Sequence, residues 1–310
     1  MVRYIINKFL FMLLSLFILI SATFFLMKAI PGDPFQAEKK VSPEIKARLM
    51  EQYGLDKPMH EQYFKYLGDI ATGDFGISMK QKNQDVIDII GATFQTSLKL
   101  GLVAIVVAIV IGVLLGMLAA LYHRKLIDNV AMVLAVIGIA VPSFVLASLI
   151  QYVFASELGW FRVTGFDGPL DYVLPVAALA AQPIAFIARL TRSSMLEVLH
   201  ADYIKTAKAK GLNWVTIMFK HVIRNGILPV VTYVGPMTAN IITGSVVIEQ
   251  IFGIGGIGKV FVDCITNRDY TMIMGVTIFY GIILMLARFF TDIAYVLIDP
   301  RIKLGKGKEG

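Results

Sequence analysis

The chain has 310 residues, is 57% hydrophobic and only 16% charged, and has a mean hydropathy of +0.72. Soluble domains carry about a quarter charged residues, so lipid must be much of this chain's solvent. The net charge of +7 is distributed loop by loop rather than massed in one basic patch, which argues against nucleic acid as a partner. A single cysteine, Cys264, excludes an internal disulfide, and four scattered histidines leave no metal-binding pairing.

Apolar runs near 9–27, 100–121, 130–155, 227–248 and 271–287 have the length needed to cross about 30 Å of hydrocarbon as a helix. A weaker run at 171–190, interrupted by Pro175, Gln182 and Pro183, is a sixth candidate, and the charge pattern supports counting it. Arg3 and Lys8 precede the first run, and Arg124 and Lys125 follow the second. Arg189, Arg192, Lys205, Lys208, Lys210, Lys220 and Arg224 lie between the fourth and fifth, and Arg301, Lys303, Lys306 and Lys308 follow the sixth. The alternate loops at 156–170 and 251–270 are poor in cations. Six spans with both termini in the cytoplasm satisfy this asymmetry.

The first run, Phe9 to Met27, is too long for a signal-peptide core and is read as a retained span, ending the segment 1–28. Residues 29–94 then fall outside the cell. They carry eight basic and ten acidic residues, which is tolerable because long segments translocate largely regardless of charge. Tyr53, Leu55, Tyr63, Tyr66, Leu67 and Phe75 suffice for a small packed subdomain there. Residues 95–298 hold the other five spans, and 299–310 form a basic cytoplasmic tail. Prolines within the runs (Pro142, Pro175, Pro183 and Pro236) are expected to kink their helices, as fixed shape or as hinges.

"FGIGGIGKVF" at 252–261 contains the spacing Gly253, four residues, Gly258, Lys259 of a phosphate-cradling loop, after the strand-like Ser245–Val246–Val247–Ile248. Val260 stands where such a loop needs Ser or Thr for magnesium, and the segment is on the outer side, away from ATP. The glycines are read instead as a tight turn at the outer surface, with Cys264 beside them open to thiol reagents from outside. No paired carboxylates or nucleophile-base arrangement appears, so no catalytic residue is assigned.

The segment "SSMLEVLHADYIKTAKAKGLNWVTIMFKHVIRNGILP", 193–229, is read as two short amphipathic helices at the inner surface. Ser193 or Ser194 would cap the first, Gly211 would stop it, and the second would run from about Asn213 to Asn225–Gly226. The basic cluster of Lys205, Lys208 and Lys210 suits anionic lipid. The small residues Ala207, Ala209 and Gly211 suit close docking against a protein cleft.

The same segment resembles the cytoplasmic signature of the permease subunits of binding-protein-dependent ABC importers. "KTAKAKG", Lys205 to Gly211, occupies the place of their "EAA" stretch and following glycine, and His221–Val222–Ile223–Arg224 replaces the general Ile-x-Leu-Pro ending in the manner of the peptide branch. "PGDP" at Pro31, "YGLDKP" at Tyr53, "QYFKYL" at Gln62, "GDFGIS" at Gly73, "AVPSFV" around Pro142, "LPVAALA" at Leu174, "RLTRSSMLEVL" at Arg189 and "DPR" at Asp299 extend the likeness to the B-type subunit of oligopeptide and dipeptide permeases over nearly the whole chain.

This resemblance implies an all-α polytopic fold of the type I importer class in a bacterial cell membrane. It implies a heterodimer with a second permease subunit, two cytoplasmic ABC ATPases that bind ATP and magnesium, and an extracytoplasmic peptide-binding protein. No cofactor is expected in this chain. Asp202, Tyr203, Lys205, Ala207, Ala209, Gly211, His221 and Arg224 are expected to couple it to an ATPase. Glu249, Gly253, Gly255, Gly256 and Gly258 are expected at an outer gate, with Glu249 either acting there or simply solvated at the interface. Asn240, Thr243 and Ser245 are expected along the pathway. The alternatives are a nickel or other small-solute importer of the same family, and a stand-alone secondary transporter, which would need ionisable residues in several spans.

Overall fold

Four helices are each long and apolar enough to cross a membrane, and two further pairs of shorter helices qualify if each bent pair counts as one span. The computed structural model describes residues 2–30, 43–81 and 84–298; Pro31–Pro34 and the basic tail at 299–310 lie outside them. Every element with more than an isolated bridge is helical among the described residues. Side chains along the long helices, including Leu10, Phe11, Leu102, Val106, Val133 and Leu134, are exposed, an apolar surface that only lipid or another protein would cover.

Chain contacts divide the protein into two compact units, one of the residues up to Thr96 with Gly255–Phe289, the other of Ser97–Ile254 with the residues from Phe290 on. In the first unit, α1 (Val2–Ala29) is followed by α2 (Pro43–Gln52) and α3 (Met59–Thr72). The rings of Phe24, Phe25, Tyr63 and Tyr66 bind the end of α1 to α3. The second hydrophobic helix, α4 (Val86–Leu121), begins well before the apolar run that predicts it. The reason is packing. Val86 and Ile90 are fully buried against Ile257, Cys264, Met272 and Val276 of α13 (Ile257–Thr266) and α14 (Tyr270–Ile298), so the helix extends outward into a protein core.

In α14, Gly281 faces Leu19 and Phe289 meets Phe9. As the position in α14 rises, that in α1 falls, so these helices are antiparallel, and the start of α1 lies at the same end of the unit as the end of α14. Asp269 is 3% exposed and closes the α13–α14 turn. It accepts from Ser78 Oγ, from the N–H groups of Met79 (3.1 Å) and Lys80 (3.3 Å), and from Met272 N–H (3.1 Å). Cys264 is not an outward-facing thiol: it is 5% exposed and donates to Phe261 O at 3.1 Å. Burial, with Asp269 and Asp263 adding like charge, pushes it up to about 12.

In the second unit, α4 packs on α7 (Val173–His200) through glycines. A Cβ on Gly112 would lie 2.7 Å from Ile187 Cβ, and one on Gly116 2.5 Å from Thr191 Cβ. Equal steps of four residues on both helices mean that they run parallel, at the close approach that a small-x-x-x-small pattern permits. The chain leaving α4 must therefore travel back before it can enter α7. It does so through α5 (Leu126–Ala140) and α6 (Ser143–Ile150) with a π-helical continuation to Glu157, bent by 106° at Val141–Pro142. Along α5, Asp128 meets Arg192 and Gly138 meets Ala181 and Ala185, so α5 runs antiparallel to α7.

The expected kinks at the other prolines take different forms. Pro175 lies in the first turn of α7, where no intrahelical bond is lost, and Pro183 and Pro236 sit inside helices without ending them. The fifth hydrophobic run bends by 49° between Ile242 and Val246, separating α11 (Leu228–Gly244) from α12 (Val246–Phe252). The strand-like Ser245–Ile248 is thus helical. Burial against α6 and α7 favours the helix over the β-branched preference of two adjacent valines.

A candidate coupling surface

The end of α7 and the helices after it form the surface that the sequence singles out. Ser193 and Ser194 are not caps: α7 continues through them to His200, because Thr191 and Met195 on its inner face are buried and hold the helix together. The break comes at Ala201, whose ψ of 147° turns the chain into α8 (Asp202–Ala209).

Gly211 ends that helix as expected. Its φ is +75°, its N–H donates to Lys208 O at 2.9 Å, and Leu212 N–H donates to Ala207 O at 3.2 Å, the paired bonds of a Schellman stop. Asn213 caps the next helix, its Oδ1 accepting from Thr216 N–H at 2.7 Å. That helix is α9 (Trp214–Ile217), continued by a π-helical turn, Met218–Ile223, and α10 (Arg224–Gly226). The expected stop at Asn225–Gly226 is only a shallow adjustment, since Ile227 keeps helical angles and leads into α11.

A small core lies beneath this hairpin. Ile204, Ala207, Ile217, Met218 and Val222 are buried together with Ala120 of α4 and Met195 of α7. Of the predicted coupling residues, Asp202, Tyr203, Lys205, Ala209, Gly211 and Arg224 are exposed, and His221 is half-buried. Ala207 is 6% exposed and faces the core, so its smallness serves packing within the hairpin. Tyr203, Leu212, Trp214, Val215 and Phe219 add exposed apolar area, and Lys208 stands over the Trp214 ring at 5.6 Å.

Sequence reasoning missed the clamp behind this surface. Arg192 donates from Nε to Asp128 Oδ1 at 2.5 Å and from Nη2 to Asp128 Oδ2 at 2.8 Å. Arg124 N–H donates to the same Oδ2 at 2.9 Å, and His123 Nδ1 lies 3.1 Å from it. The Asp128 side chain is 3% exposed and that of Arg192 24%. Sixty-four positions separate the pair, and no local pattern in the chain signals it.

The predicted outer elements gather at the other end of this unit. The loop that feeds α7 lies there, and Gly165 N–H donates to Phe252 O at 3.3 Å. A Cβ on Gly253 would meet Thr164 at 3.4 Å, and Gln151 Nε2 donates to Val163 O and Ile251 O. Gly253, with φ of +65°, ends α12. Glu249 is fully buried and accepts from Ser245 Oγ at 2.6 Å, so it is not the solvated interfacial carboxylate that was one of its two readings. In the other unit, Gly256 precedes α13, Gly258 is buried within it, and Gly255 is exposed. On the pathway candidates, Asn240 is exposed and Ser245 buried, while the Thr243 side chain lies outside the described residues. No group of three or more His, Cys, Asp or Glu that could hold a metal ion occurs among the described residues.

Similarity to known proteins agrees with this architecture. The family of binding-protein-dependent transport system inner membrane components matches residues 112–304, and the N-terminal family of the same system's membrane components matches residues 1–110. The chain is 48% identical to the dipeptide transport system permease protein DppB of Bacillus subtilis, covering 99% of both chains. It is 44% identical to the oligopeptide transport system permease protein OppB of Haemophilus influenzae, covering 98% of this chain and 100% of that one. Among solved structures it resembles a chain of an amino acid ABC transporter (TM-score 0.55, 16% identity, 67% of this chain and 93% of that one). It also resembles a chain of the MetNI methionine ABC transporter (TM-score 0.53, 17% identity, 69% and 97%). With its membrane-length helices, parallel α4 and α7 and exposed hairpin, the chain belongs to the family of binding-protein-dependent transport system inner membrane components.

Proposed function

We propose that this protein is a permease subunit of an ATP-driven peptide importer and builds the pathway together with a second permease subunit. The observation that carries the reading is the hairpin. Its inner face is buried on the end of α7, while Tyr203, Lys205, Ala209, Gly211 and Arg224 face outward on a fixed backbone. A cytoplasmic ABC ATPase docks on that face. A second ATPase serves the other subunit, and ATP and magnesium bind only to the ATPases. Peptide is the cargo favoured by the names of the full-length relatives, above nickel or another small solute.

Six crossings with both ends of the chain in the cytoplasm complete the reading. Two observations support it: the antiparallel pairing of α1 with α14 and the return path that parallel α4 and α7 impose on α5 and α6. The hairpin then faces the ATPases, and the Gly253 turn faces an extracytoplasmic peptide-binding protein. There Glu249, held by Ser245 within the first turn of α12, serves the outer gate with Gly253, and Gly255, Gly256 and Gly258 serve it in the segment that follows. Asn240 and Thr243 line the pathway.

Reconstitution tests this. The chain is placed in liposomes with a second permease subunit and two ATPases, and a peptide-loaded receptor is supplied on the outer side. Radiolabelled peptide should accumulate only with ATP, and the chain alone should hydrolyse none. Peptide accumulation without ATP would overturn the reading in favour of a stand-alone transporter, and ATP-driven uptake of nickel but not peptide in favour of the other cargo.

A further inference from the structure

We infer that Arg192 is a positioning residue for energy coupling: through Asp128 it makes the hairpin, the end of α7 and the start of α5 move as one body. The inference rests on the importer reading. Three contacts define the body. The hairpin core closes on Met195, and a Cβ on Gly226 would lie 2.8 Å from Met195 Cγ, so the second half of the hairpin sits directly on α7. One turn before Met195, Arg192 grips Asp128 through two donors at 2.5 and 2.8 Å. Asp128 lies in the first turn of α5 and also accepts from Arg124 N–H, so the α4–α5 turn is held by the same carboxylate. Arg124 adopts φ of +62°, the left-handed conformation that presents this N–H.

The chemistry suits a rigid joint. A guanidinium fork on a carboxylate fixes angle as well as distance, and at 3% exposure the carboxylate is shielded from competing water. Without it, contact between α5 and α7 near the hairpin would rest on apolar side chains that slide more easily. Displacement of the hairpin is therefore passed to the start of α5 by way of this ion pair, while α6 also packs directly on α7.

The test uses the complete reconstituted transporter with Cys264→Ala as background. Spin labels are placed at Lys220 in the hairpin and Val133 on the exposed face of α5, and the distance is measured without nucleotide and with ATP trapped by vanadate. With Arg192 present the distance should hold between the two states. With Arg192→Ala it should change between them, and peptide taken up per ATP hydrolysed should fall by about tenfold. Arg192→Lys, which keeps the charge but not the fork, should fall between, and the swap of Asp128→Arg with Arg192→Asp should recover much of the ratio. The inference is overturned if Arg192→Ala leaves the distance constant and the uptake ratio unchanged. It is also overturned if uptake and ATP turnover fall together and neither Arg192→Lys nor the swap restores the ratio, the behaviour of a residue needed only for folding. The distance arm reads the joint whatever the cargo, so an error about peptide leaves it intact.

Discussion

Gly226 lies against Met195 so closely that a Cβ at that position would sit 2.8 Å from Met195 Cγ and 3.4 Å from its Cα. Gly226→Ala must push α10 from α7, at a cost of about 1–3 kcal/mol. Gly91 of α4 has no atom within 4 Å of a built Cβ, so Gly91→Ala should be neutral or slightly stabilising. Thermal unfolding of the purified complex distinguishes the two. Equal behaviour would mean that the α7–α10 contact is looser than described.

Gly211 is a different case. Nothing within 4 Å would obstruct a Cβ there, yet φ of +75° disfavours one. Gly211→Ala should cost about 1 kcal/mol in conformation, with Gly211→Asn costing less. Gly211→Leu adds bulk on the exposed side and should abolish uptake while membrane insertion is retained. Transport assays on the three variants separate backbone from docking: if Ala and Leu lose uptake equally, conformation alone is responsible.

Asp269 gathers donors from Ser78, Met79, Lys80 and Met272. Asp269→Ala removes the acceptor of Ser78 Oγ, Met79 N–H and Met272 N–H, while Lys80 N–H keeps Ser78 Oγ, and should destabilise by about 2–4 kcal/mol. Limited proteolysis should show faster cutting at Ser78–Gln81, whereas an unchanged pattern would show that the segment is held by other contacts.

Cys264 should resist an impermeant maleimide in intact cells and in broken membranes alike, and label on denaturation. Burial raises the folded thiol to about 12, above about 8.5 for an unfolded thiol. Between those values the folded state holds more protons than the unfolded one, so stability falls as pH rises through that window. Cys264→Ala should flatten the alkaline part of the stability profile. Rapid labelling of the folded protein near pH 7 would contradict the burial.

Lys259 lies in α13, behind a helix rather than a strand. Lys259→Ala should leave ATP binding by the assembled transporter unchanged within error. A measured loss would revive the phosphate-loop reading of Gly253 to Lys259.

Much of the fold is legible in the sequence because hydropathy reports lipid contact directly: the long apolar runs recur as α1, α4, α7 and α14 and as the two bent pairs. The hairpin is legible too, since Gly211 and Asn213 carry their own local chemistry. What escapes is tertiary. Gly112 and Gly116 read as ordinary small residues until α7 lies against them, and Asp128 and Arg192 are distant in the chain. Ser193 and Ser194 look like caps because serine favours helix starts, but burial of their neighbours overrides that preference. The two valines before Ile248 suggest a strand only when packing on α6 and α7 is unseen.

At 28 residues, α7 is about 42 Å long, some 12 Å more than the hydrocarbon it would cross. A bilayer with its headgroups is about 40–45 Å thick, so α7 spans little more than the lipid itself. Lys205, Lys208 and Lys210, just past its end, stand at the level of the headgroups, where lipid phosphates and any protein docking on the hairpin compete for the same cations.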